Sequence, residues 1–228
     1  ILPEMAQRLA AGDDAGAARA QNPAFIFTLL LSVPCVVAFL LVPDLIMRAL
    51  FMRGAFTTAA AAAAGATLSA YAIGLIPFVL VRSATATFLA RGDTATPVKA
   101  ALTAAAVNIL FKFLLMGSLA QVGLALATSL GAWINLGLVL WLAMRAGFLT
   151  IDPVFARSLM KIAASGFVLA VALWLAQGPI AQWFSHWMRF RDEMVLVTLG
   201  IVGILVYGGT ILTLFGPQWL GVLRRRRT

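Results

Sequence analysis

Six long apolar runs, set apart by every acidic residue and nearly every basic one, constrain this chain more than any other feature. A bilayer core of about 30 Å is crossed by roughly 20 consecutive apolar residues in a helix. Segments 25–42, 59–81, 98–116, 122–144, 158–176 and 195–215 have or approach that length. The fifth is the weakest, because it opens with Ser158 and Lys161. Apolarity within the runs is continuous, not alternating, which excludes the two-residue period of an outer-membrane barrel strand. All eight acidic residues lie outside the runs, and Lys112 is the only basic residue well inside one. Hydrophobic residues make up 62% of the 228 and charged residues 11%, an excess that a soluble domain cannot hide. The expected fold class is all-α, a polytopic transmembrane bundle of about six spans.

The gaps between runs alternate in basic content. One set holds Arg8, Arg19, Arg82, Arg91, Lys99, Arg145, Arg157, Lys161 and Arg224–Arg227, twelve in all. The opposite set holds Arg48, Arg53, Arg189 and Arg191, four in all. Basic loops stay in the cytoplasm, so the first set and both chain ends are expected there, as an even number of spans requires. The net charge of +9 is thereby read as topological. No nucleic-acid partner is expected, because no basic stripe interleaved with aromatics lies outside the runs. The C-terminal arginines read as an anchor to anionic headgroups, and Trp183, Trp187 and Trp219 sit near span ends, where amphipathic rings settle.

Cys35 lies inside a run and His186 is the only histidine, so neither a disulfide framework, a metal site nor a cofactor is expected. No nucleophile, base and orienting group cluster at depth, so an enzyme is not expected. Residues 1–24 read as the cytoplasmic end of a preceding helix and a linker, without a signal peptide. The sequence therefore reads as a fragment.

Small residues, breakers and rare polar groups mark the runs. Gly123, Ala127, Gly131 and Asn135 recur every four residues and keep to one arc of a helix, which permits close backbone approach. Ala101, Ala105, Asn108 and Lys112 form a similar stripe. Pro34, Gly74 and Pro77 are candidate hinges or kinks. Two readings of these marks stay open: tight packing of a bundle, or a moving bundle around a polar path. A charged Lys in mid-bilayer costs about 2.5–3.5 kcal/mol. Lys112, about 6 Å before Met116 at 1.5 Å per residue, either snorkels or faces a cavity and attracts an anion. After the first run, Asp44 is expected to cap a short interfacial helix with Leu45, Ile46, Ala49 and Leu50 on one face. Arg48 and Arg53 there would contact lipid phosphates or steer an anionic headgroup.

Three stretches carry a resemblance: LFMRGAFT (50–57), SAYAIGLIPFVLVRSATATFLARGDTATPVK (69–99) and VGLALATSLGAWINLGLVLW (122–141). With the opening LPEMAQRLAAGD, they resemble the C-terminal half of the MurJ/MviN family, the bacterial lipid II flippases of the multidrug/oligosaccharidyl-lipid/polysaccharide exporter superfamily. The specific motifs run to about Met144; the last two runs match in position and hydrophobicity. The resemblance implies helices nine to fourteen of a fourteen-helix, two-lobe protein. Residues 25–144 would supply four helices of the C-terminal lobe. Residues 145–228 would supply a final pair beside a lateral groove, with a basic cytoplasmic tail.

The activity it implies is alternating-access transfer of undecaprenyl-pyrophosphate-linked disaccharide pentapeptide across the bacterial inner membrane for peptidoglycan synthesis. The implied partners are that lipid, the surrounding membrane lipid and the missing N-terminal helices of the same protein. Substrate-path candidates are Arg82, Asn108, Lys112, Asn135, Arg48 and Arg53. Arg82 stands where the family usually has Lys, and Lys112 where relatives commonly carry Asn. Rival readings are a cation-coupled drug antiporter or polysaccharide-lipid flippase of the same superfamily, and a non-transporting membrane scaffold.

Overall fold

The computed structural model describes residues 2–150, 152–186 and 190–216, with Glu4 described in its backbone alone. The order is α1 (Leu2–Ala10), α2 (Asp14–Arg19), α3 (Asn22–Leu41), α4 (Pro43–Phe51), α5 (Thr58–Leu89), α6 (Ala95–Arg145), α7 (Pro153–Trp183), a short 3-10 turn (Phe184–His186) and α8 (Arg191–Phe215). Five helical stretches are long and apolar enough to cross a membrane, and no strand occurs among the described residues. Trp187, Trp219, Arg189 and Arg224–Arg227 lie outside the described residues.

The five stretches contain six apolar helical arms, because α6 reverses. A straight helix of its 51 residues would extend about 76 Å at 1.5 Å per residue. At Ala120 the backbone leaves the helical region, with φ 47° and ψ −125°. Beyond it the chain returns along itself. A Cβ placed on Gly123 would lie 2.4 Å from the Leu115 carbonyl oxygen, and one on Gly131 would lie 2.9 Å from Asn108 Cβ. Residues 95–119 and 121–145 are thus antiparallel arms, corresponding to the third and fourth apolar runs. The reversal takes almost no loop.

The other helices overrun their apolar cores. α5 continues through Arg82 to Leu89, and α7 begins five residues before Ser158. Backbone groups near a bilayer are satisfied most cheaply inside a helix, so polar ends continue helical. Punctuation supplies the stops. The pentad Leu-Ala-x-Gly-Asp occurs at 9–13 and again at 89–93 and folds the same way twice. Gly12 and Gly92 both take φ +75°, a left-handed conformation that costs glycine nothing. Asp13 N–H then bonds the Arg8 carbonyl (2.9 Å), and Asp93 N–H the Phe88 carbonyl (3.0 Å), closing the helix in a Schellman pattern. Each aspartate next accepts a backbone N–H three residues on, from Gly16 (2.8 Å) and Thr96 (3.0 Å). Asp152 does the same for Phe155 (2.6 Å) ahead of Pro153. Asp44 does not cap α4: Val42 holds the cap position without a side-chain bond, Pro43 follows, and Asp44 lies in the first turn. Proline there already dispenses with one N–H, so a capping acceptor has less to satisfy.

The chain divides into two compact units. The first contains Ile1–Ser32 and Ala66–Arg157. Phe25, Ile26, Leu29 and Ser32 bury one side of α3 at helical spacing. Gln21 is fully buried, donating to the Ser83 carbonyl and accepting from the Thr87 hydroxyl. Arg91 lies 4.3 Å over the Phe148 ring, whose edge meets Phe88. Burial lowers the Arg91 pKa, opposed by the charge of Asp14.

The second unit contains Val33–Gly65 and Ser158–Thr228. Val42, Leu45, Leu169, Leu173, Val195 and Leu199 form its apolar centre. Gly166 sits where a Cβ would strike Val33. Lys161, the polar intruder of the fifth run, rests its ammonium 5.1 Å from the Phe215 ring. Apolar side chains elsewhere face outward, among them Phe167, Trp174 and Ile204, as lipid-facing surfaces do.

Candidate functional site

In the first unit the polar marks gather on the α6 hairpin. The ladder Gly123, Ala127 and Gly131 is buried, and Gly123 and Gly131 face the first arm. Gly131 meets Asn108, whose Nδ2 would lie 3.1 Å from an added Cβ. The same antiparallel register sets Asn135 one turn further along, opposite Ala104. Both asparagines bury their Oδ1 atoms with no hydrogen-bond partner among the described residues. A buried carbonyl oxygen without a donor costs about 1–3 kcal/mol, so a donor arriving at either amide would relieve it.

Lys112 is one turn beyond Asn108 on the same arm. It is half-buried and has no ion pair or hydrogen bond among the described residues. Because helix continues to the reversal at Ala120, Lys112 lies eight residues, about 12 Å, below the turn. That is twice the depth given by the end of the apolar run at Met116, and snorkelling becomes correspondingly harder. Arg82 projects outward from α5 and lies 5.8 Å over Phe78.

A second small-residue face of the hairpin, Ala125 and Ser129, is also buried. Ser129 donates to the Ala70 carbonyl (2.6 Å), and Trp133 Nε1 donates to the Ile73 carbonyl (2.9 Å). Gly74 is a point of close approach: a Cβ there would lie 2.7 Å from Ser129 Cα. A contact role for Gly74 and Ser129 escapes the four-residue ladder, because Ser129 stands off that ladder's arc. Its signal is its own spacing of four from Ala125. Pro77 is buried within α5, and Pro34 lies within α3.

In the second unit α4 lies against the start of α8. Leu45 and Ala49 are buried, whereas Leu50 of the expected apolar face is exposed. Arg48 Nε donates to Asp192 (3.0 Å), and Arg53 Nη2 pairs with Glu193 (3.7 Å). Both arginines thus find carboxylates from the first turn of α8, where acidic groups also suit the helix dipole. Asp44 turns its Oδ1 toward Gly65, 2.1 Å from where a Cβ would stand. Beside these groups opens a cavity of about 450 Å³, with Arg191, Asp192 and Gln177 among its polar lining. Asp192, Glu193, Arg191 and Gln177 carry no local motif that marks them in the sequence.

The family model described as "Lipid II flippase MurJ" matches residues 1–220. The "Probable lipid II flippase MurJ" of Rickettsia prowazekii is 30% identical over 211 residues, 92% of this chain and 41% of the relative. That of Rhizobium tropici is 32% identical over 209 residues, 90% of this chain and 38% of the relative. A solved structure, "Lipid II flippase MurJ, inward closed conformation", superposes with a TM-score of 0.75 at 21% identity, covering 94% of this chain and 42% of that one. The chain thus spans about two fifths of the length of these relatives, and the structural likeness shares their helical fold. Its apolar helices make it a multi-pass membrane protein. With the family model matched along almost its whole length, the chain belongs to the lipid II flippase MurJ family.

Proposed function

We propose that this chain is the C-terminal part of a lipid II flippase that works by alternating access in the bacterial inner membrane. The observation that carries the reading is the family match over residues 1–220. Its substrate would be the undecaprenyl-pyrophosphate-linked peptidoglycan precursor, and its necessary partners the remaining helices of the same protein. Both ends of the chain lie on the cytoplasmic side in this reading, supported by the twelve-to-four distribution of basic residues. Nothing is hydrolysed or joined. The protein is a carrier, not a catalyst.

Lys112, Asn108 and Asn135 are the residues of the first unit best suited to a polar path. Lys112 supplies a cation without a competing carboxylate, and the two amides carry unsatisfied acceptors that would take donors from sugar hydroxyls or peptide amides. A pyrophosphate is drawn to an uncompensated ammonium most strongly where water is scarce. Arg82, Arg48 and Arg53 would contribute at the two membrane surfaces. The last two arginines do so only by leaving Asp192 and Glu193. Pro34, Gly74 and Pro77 would set where α3 and α5 bend during the cycle.

Depletion of the full-length protein in cells tests the reading. Lipid II accumulating on the inner leaflet, followed by loss of shape and lysis, is expected; unchanged precursor pools would refute it. Lys112→Ala is expected to lower flipping while leaving expression near normal. Normal growth on Lys112→Ala alone would remove Lys112 from the path.

A further inference from the structure

The cavity of the second unit shares only Arg48 with the residues of the transport reading, which leaves its other charged groups without a role. Its floor is apolar, from Leu41, Val42, Leu45 and Val195. Its rim carries two guanidinium and two carboxylate groups, those of Arg48, Arg191, Asp44 and Asp192. One of each is already engaged, since Arg48 donates to Asp192 at 3.0 Å. Two charged groups are left over. Among the described residues Arg191 makes a single 3.3 Å bond, to the Ala181 carbonyl, and the Asp44 carboxylate, with one oxygen packed toward Gly65, accepts no hydrogen bond. Gln177, half-buried at the same rim, also has an amide without a partner there.

We infer that this cavity holds the headgroup of a zwitterionic phospholipid, its phosphodiester on Arg191 and its ammonium on Asp44. One free cation beside one free anion is complementary to a phosphate monoanion linked to an amine. A purely anionic headgroup leaves the Asp44 carboxylate opposed by like charge. A pyrophosphate brings still more negative charge against a rim whose formal balance is zero. Guanidinium donors fit phosphate oxygens in a fork and strengthen when both groups are charged.

Position agrees with chemistry. The cavity lies where α3 ends at Leu41, α7 nears its end at Trp183 and α8 begins at Arg191, so it sits at the ends of three apolar helices, the level of lipid headgroups. Trp183 is 81% exposed there, as an interfacial ring would be. Acyl chains leaving the cavity meet the outward faces of Trp174 and Leu175 on α7. A volume of about 450 Å³ is in the usual range for a small-ligand site.

Native mass spectrometry of the full-length protein in detergent, titrated separately with phosphatidylethanolamine and phosphatidylglycerol, tests the assignment. The wild type is expected to retain phosphatidylethanolamine at one saturable site and to prefer it to phosphatidylglycerol. Arg191→Gln should weaken both lipids by about tenfold, the loss of one charge-assisted contact. Asp44→Asn should weaken phosphatidylethanolamine alone, by a similar factor, and so abolish the preference. Should Arg191→Gln fail to fold, Asp44→Asn decides by itself.

Equal binding by wild type and Asp44→Asn, or preference for phosphatidylglycerol, overturns the proposal. Soluble glycerophosphoethanolamine binding as tightly as the whole lipid overturns the lipid as its source. Competitive displacement by undecaprenyl pyrophosphate would return the cavity to the transport path and overturn it as well. A wild-type protein that retains phosphatidylethanolamine at this site yet moves no lipid II would instead strike the transport reading and leave this one standing.

Discussion

Gly74→Ala places a methyl group where the backbones of α5 and the hairpin come close together. The added carbon would lie 2.6 Å from Ser129 Oγ, 2.7 Å from its Cα and 2.9 Å from its Cβ. Carbon atoms settle at about 3.5–4.0 Å, so the two helices must part by most of an ångström. A side chain could swing aside, but a Cα cannot. Overpacking of this kind costs about 1–3 kcal/mol. Parting also stretches the Ser129 bond to the Ala70 carbonyl and the Trp133 bond to the Ile73 carbonyl; hydrogen bonds between membrane helices average about 0.6 kcal/mol. The expected loss is about 2–4 kcal/mol.

Reversible unfolding in mixed micelles, with far-ultraviolet circular dichroism as the readout, measures that loss. Ser129→Ala alone should cost under about 1 kcal/mol, as one such bond is lost. Adding Ser129→Gly to Gly74→Ala should recover less than half of the deficit, because the Cα clash remains. A Gly74→Ala protein as stable as wild type, or fully rescued by Ser129→Gly, would refute a backbone-limited contact and make Gly74 a matter of flexibility alone.

Further outcomes follow from other contacts. Gln21→Leu should destabilise by about 1–3 kcal/mol, because the buried Thr87 hydroxyl loses its acceptor and the Ser83 carbonyl its second donor. Gln21→Glu should be worse, because it sets an acceptor against a carbonyl; equal stability by thermal melting would discount the buried network. Arg48→Ala, breaking a 3.0 Å pair about one-third exposed, should cost up to about 1 kcal/mol. Arg53→Ala, at 3.7 Å and 75% exposed, should cost almost nothing, and high salt should shrink any difference. The Thr96 hydrogen bonds hold the Asp93 carboxyl below its ordinary range. Its folded pKa is depressed, so its contribution is complete above the unfolded value of about 3.9 and fades as pH falls through the folded one. An acid titration of stability should lose that component in Asp93→Asn, and an unchanged acid limb would dismiss it.

The membrane-crossing runs were legible because hydrocarbon tolerates so few charges: confinement of Asp, Glu, Lys and Arg to the gaps marks each span directly. The hairpin was legible as two runs but not as one reversal, because Gly117–Gln121 contains nothing that announces a positive φ at Ala120. Helix ends are not legible from the apolar runs wherever polar residues continue a helix, as beyond Val81 and before Ser158. Asp44 shows why capping cannot be read from residue type alone, since Pro43 beside it removes part of the need. The ladder Gly123, Ala127 and Gly131 was legible by period, and Asn108 as its neighbour on the facing stripe. The partners of Arg48 and Arg53 were not. Asp192 and Glu193 are 144 and 140 positions away in sequence, and only tertiary packing brings them together.

The reversal at Ala120 has a consequence for how such a chain can change over time. With no slack between the arms, one inserted residue would swing everything after it by about 100° around the helix axis. Gly123 and Gly131 would leave the neighbouring arm and bulky side chains would take their place. Substitutions can be absorbed here one by one, but length cannot drift. The pair is indexed like meshed gears, and lineages carrying it are expected to conserve the spacing from Asn108 to Gly131 more strictly than the residues in between.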